Sequence, residues 1–101
     1  MIFRRGHGDT IRRQLDLFER EHAGLLVEAA AALREYDAAD RDEAEERYGD
    51  YADLLDLAAA HLAELRDSFA ANLEDPGGYL RAFDRAAARR FPQLAEALKE
   101  T

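Results

Sequence analysis

From Ile11 to Tyr36 the chain places Ile11, Leu15, Phe18, His22, Leu25, Ala29, Leu33 and Tyr36 at successive steps of three or four residues. That spacing lines up one face of a helix and cannot be satisfied by a strand, whose side chains alternate. A second seam follows at Ala44, Tyr48, Tyr51, Leu55, Ala58, Leu62, Leu65 and Phe69. The eight-residue step from Tyr36 to Ala44 puts it out of phase with the first, and Asp40 with Glu43 three residues later matches a capping box. Two helices joined by a tight turn near residues 39–40 are therefore expected, rather than one continuous rod. Ile2, Thr10, Ile11, Val27 and Thr101 are the only β-branched residues, so intrinsic preference favours helix almost throughout.

The ends are marked by glycine and proline. Gly6 and Gly8 flank His7, so residues 1–8 read as an irregular arm, with Asp9 or Thr10 capping the first helix and residues 9–101 forming a single domain. Pro76-Gly77-Gly78 ends the second helix near Leu73. Beyond it Leu80, Phe83, Ala87, Phe91, Leu94 and Leu98 share a stripe interrupted by Pro92, which either kinks that helix or opens a short fourth one. The expected fold is all-α: an antiparallel helical bundle of about three helices, a long hairpin plus a proline-interrupted third helix. A chain of 101 residues supports one modest core.

There is no cysteine, which removes disulfides, thiolate metal ligands and thiol nucleophiles together. Ser68, the only serine, lies two turns from His61, so a hydrolytic triad is not expected. The opening residues lack the apolar run of a signal peptide, and no apolar stretch approaches a membrane span, so a soluble, cytoplasmic protein without membrane insertion is expected. The net charge of −8 is unevenly spread: residues 14–75 carry 5 basic and 18 acidic side chains, while both ends are basic. Overall acidity argues against nucleic acid as a partner.

Antiparallel packing brings the start of the first helix and the start of the third to one end. Arg4, Arg5, Arg12, Arg13, Arg81 and Arg85 would then form a basic pole, opposite an acidic pole of Asp37, Asp40, Asp42, Glu43, Glu45 and Glu46. Such polarity suits head-to-tail self-association, or docking of the basic end on an acidic protein or a phosphate-rich ligand. Tyr79, Phe83, Phe91, Leu94 and Leu98 are expected to lie between core and interface, because two long seams offer more apolar surface than a short third segment covers.

The sharpest candidate for site chemistry is a histidine and carboxylate set. With the turn near residues 39–40, Glu19 lies level with His61, and His22 level with Leu57 and Ala58. Glu19 and His22 are spaced i, i+3, as are His61 and Glu64, and such pairs on facing helices build carboxylate-bridged metal sites inside bundles. A divalent metal or iron is the cofactor this set would take. Glu45, Glu46, Asp50 and Asp53 form an acidic strip that reads as a solvated face, and the four tyrosines read as structural. The functional expectation is a non-enzymatic interaction module, a homo-oligomer or one docking a protein partner. The alternative is a metal-binding bundle for storage or redox chemistry.

Overall fold

A computed structural model describes residues 6–101. Its described residues contain five α-helices and no strand: α1 (Gly8–Glu21), α2 (Ala23–Asp37), α3 (Arg41–Ala70), α4 (Gly77–Arg90) and α5 (Ala95–Lys99). A single 3-10 turn, Pro92–Leu94, joins the last two. The all-α reading stands, and the count of about three helices is corrected to five. The difference arises at two places where one apolar seam runs through a change of direction.

The first is His22, whose φ of −119° and ψ of 27° leave helical geometry. Hydrogen bonding bridges the bend, with His22 N–H donating to the Phe18 carbonyl at 2.9 Å and Leu26 N–H to the His22 carbonyl at 3.1 Å. The second is Phe91, at φ −128° and ψ 69°, after which Pro92 opens the 3-10 turn at a position where its missing N–H costs nothing. Pro92 therefore starts a new piece of chain rather than bending an old one.

Asp40 is the N-cap of α3 in extended geometry, but its side chain makes no capping hydrogen bond. Helix α1 begins at Gly8, ahead of the expected caps, and Asp9 lies inside its first turn, paired with Arg12 at 2.6 Å. Helix α3 ends at Ala70, and Asn72 and Leu73 wind on by tighter bonds to Phe69 and Ala70 at 3.0 Å each.

The molecule is a rod of 62 × 22 × 18 Å. Helix α2 packs along α3 to form the hairpin, α1 packs on α4, and α5 lies on α3. The core joins Ile11, Leu15 and Phe18 of α1 to Leu62 of α3, Tyr79 and Phe83 of α4, Leu94 of the 3-10 turn and Leu98 of α5. Tyr79, Phe83, Phe91, Leu94 and Leu98 are between 0% and 4% exposed. They belong to the chain's own core, which corrects their expected place between core and interface. The redirection at Phe91 and Pro92 lets both halves of the last seam face inward. Among the described residues the exposed large apolar side chains are Val27, Leu33, Tyr48 and Leu57, all on the hairpin.

Candidate functional site

Helices α1 and α4 do not meet flush. Between them runs a groove of about 510 Å³ lined by Gly8, Ile11, Arg12, Leu15, Ala82, Arg85, Ala86, Arg89 and Arg90. The spacing explains its make-up. Ile11 and Leu15 lie one turn apart on α1, and Ala82 and Ala86 one turn apart on α4, so they form an apolar floor. The alanines are too short to fill the space opposite the α1 side chains, and the arginines one turn apart at Arg85 and Arg89 stand along its edge.

The four guanidiniums differ in what neutralises them. Arg90 donates to Asp16 at 2.7 Å and also to Glu19, and its carbon lies 5.5 Å from the Phe91 ring centre. The hydrogen bonds it donates to Asp16 and then Glu19 hold the Arg90 guanidinium above its ordinary pKa, so this residue is a clamp between α4 and α1. Arg12 pairs with Asp9 on an exposed turn, an arrangement worth little in stability. Arg85 and Arg89 are exposed and make no ion pair among the described residues. Guanidiniums donate hydrogen bonds, accept none and stay protonated, so a rim of them holds an anionic group and moves no proton.

Of the expected basic pole, Arg12 and Arg85 line this groove. Arg13 is exposed on α1, and Arg81 lies back over Gly77, its nitrogen 3.3 Å from where a Cβ there would stand. Arg4 and Arg5 lie outside the described residues. Sequence reasoning missed Arg89 and Arg90, although they continue the four-residue spacing from Arg81 and Arg85 or adjoin it.

The histidine and carboxylate set is only partly brought together. His22 and His61 stack with ring centres 4.3 Å apart and planes at 21°, beside a cavity of about 260 Å³ that Glu21 and Glu64 also line. Glu19 is turned away to Arg90. Stacked imidazoles offer each other faces rather than nitrogens, and among the described residues no three His, Asp or Glu side chains are placed to hold a metal ion. His22 meets His61, a turn further along α3 than Leu57, because helical side chains lean toward their own N-terminus and in an antiparallel pair the two offsets add.

The opposite end of the rod is the turn between α2 and α3. There Asp37, Asp40, Asp42, Glu45 and Glu46 are exposed and make no ion pair among the described residues, whereas Glu35 and Glu43 both approach Arg47. Tyr48 bridges Tyr36 and Tyr51 edge-on just behind this tip. No helix among the described residues is long and apolar enough to cross a membrane. Compared with protein-family models, curated proteins and solved structures, the chain matches none.

Proposed function

We propose that this chain is a non-enzymatic helical interaction module, and that its docking surface is the groove between α1 and α4, filled by an acidic protein segment with an apolar core. One observation carries the reading: Arg85 and Arg89 stand without ion-pair partners among the described residues, over an apolar floor, in a chain where 22 acidic residues face 14 basic ones. Where carboxylates are in excess, arginines that none of them reaches are available to an outside anion. The floor adds a demand that a free phosphate does not meet, since covering the half-buried Ala82 and Ala86 requires apolar atoms in the ligand. A nucleic-acid backbone fits less well, because the molecule's net charge of −8 repels it and the two guanidiniums on the groove rim release few counterions.

The test is a titration with a synthetic helical peptide carrying a leucine stripe flanked by glutamates, followed by amide NMR shifts. Shifts confined to the Gly8–Leu15 and Ala82–Arg90 segments, weakening with salt and reduced about tenfold or more by Arg85→Ala with Arg89→Ala, support the groove. Shifts centred on Val27 and Leu57, or none at all, refute it.

A further inference from the structure

We infer that the acidic segment taken up by the groove is the hairpin tip of a second copy of this chain; the inference rests on the docking reading above and names its occupant. The tip carries what the groove lacks. Asp37, Asp40, Asp42, Glu45 and Glu46 are exposed and without ion pairs among the described residues, and they surround Ala38 and Ala39, two small apolar residues at the nose of the turn. Carboxylates therefore meet Arg85 and Arg89 at the rim while the alanines face the floor formed by Ile11, Leu15, Ala82 and Ala86.

Geometry makes the contact intermolecular. Arg66 reaches Asp84 at 2.9 Å and Phe69 meets Tyr79 at 4.8 Å, which fixes α4 beside the C-terminal half of α3. The tip lies at the N-terminus of α3, about 35 Å away along the helix axis, so a rigid copy cannot dock its own tip in its own groove. Charge also selects the mode. Tip against tip joins like charges, as does groove against groove, so a two-fold dimer through either end is disfavoured. Tip into groove is heterologous, and because it leaves one tip and one groove free, it propagates. A nose of two helix ends covers less than a standard interface, so the association is weak and depends strongly on salt.

The experiment is sedimentation velocity on the whole chain and two variants, each checked for unchanged helicity by circular dichroism. Arg85→Ala with Arg89→Ala leaves the tip intact, and Asp42→Asn with Glu45→Gln and Glu46→Gln leaves the groove intact. The unaltered chain is expected to grow beyond a dimer as concentration rises at low salt, and to shrink toward monomer as salt is added. Each variant alone stays monomeric, and an equal mixture gives a dimer that grows no further, since only one intact tip and one intact groove remain. Growth of the unaltered chain that ignores salt, or a mixture that stays monomeric, overturns the inference. A chain that never associates, yet binds the acidic peptide in the groove, overturns the second-copy inference and leaves the docking reading standing.

Discussion

Arg66 shows how much a single side chain settles here. It is the only charged residue buried among the described residues, 8% exposed, and it donates to Asp67 at 2.7 Å and Asp84 at 2.9 Å. Those hydrogen bonds raise its pKa against the opposing effect of burial, Asp67 contributing most. The pair with Asp84 ties α3 to α4 and so places the wall of the groove. Tyr79 does a similar task between α4 and α1: its ring is fully buried and its hydroxyl donates to Gln14 Oε1 at 2.9 Å. Burial pushes the Tyr79 phenol above its ordinary value, with the Gln14 bond opposing in part. A folded-state pKa above the unfolded one means that the folded chain keeps a proton which the unfolded chain releases. Stability is then intact below pH about 10 and declines as pH rises through the folded value. Tyr79→Phe should cost about 1 kcal/mol at neutral pH and lose part of that alkaline decline, as read from urea midpoints at neutral and alkaline pH.

Among elements, α3 is the organiser, a helix of 30 residues that touches every other one. It buries two stripes rather than the single seam its spacing suggests: Ala58 and Leu62 on one, and Ala59, Ala63, Arg66 and Ala70 beside it. The second stripe is nearly all alanine, which hydropathy spacing undervalues and close helix packing favours. Gly49 lies in this helix with a negative φ and nothing within 4 Å of where its Cβ would be. Gly49→Ala should therefore raise stability by about 0.5–1 kcal/mol, measured by denaturant unfolding, because it removes unfolded-state freedom without a clash. The start of α3 was legible because Asp40 and the break in phase are local signals. The bend at His22 was not, since the seam passes through it in unbroken three- and four-residue steps while the packing partner changes from α4 to α3.

For the whole molecule, the decisive fact is which apolar surface is closed. Helix α4, the 3-10 turn and α5 close over α1 and α3, so Phe83 is a core residue with 0% exposure. Phe83→Ala should cost about 3–5 kcal/mol, a large share of a small domain's stability, and should leave the sedimentation behaviour of whatever remains folded unchanged. A changed association state with intact stability would return Phe83 to an interface. The distribution of charge follows the same division, since basic side chains line the groove between α1 and α4 and exposed carboxylates gather at the hairpin tip.

The sequence by itself determined the helical class, the hairpin and the break at Pro76, because each follows from local spacing, capping or chain direction. Only the tertiary structure decided that Glu19 clamps Arg90 instead of facing His61, that Tyr79 through Leu98 are core, and that Arg89 completes a groove with Arg85. Those outcomes depend on which helix each face meets and at what offset. Such relations between distant residues are fixed by packing the whole core at once, and no periodicity within one helix encodes them.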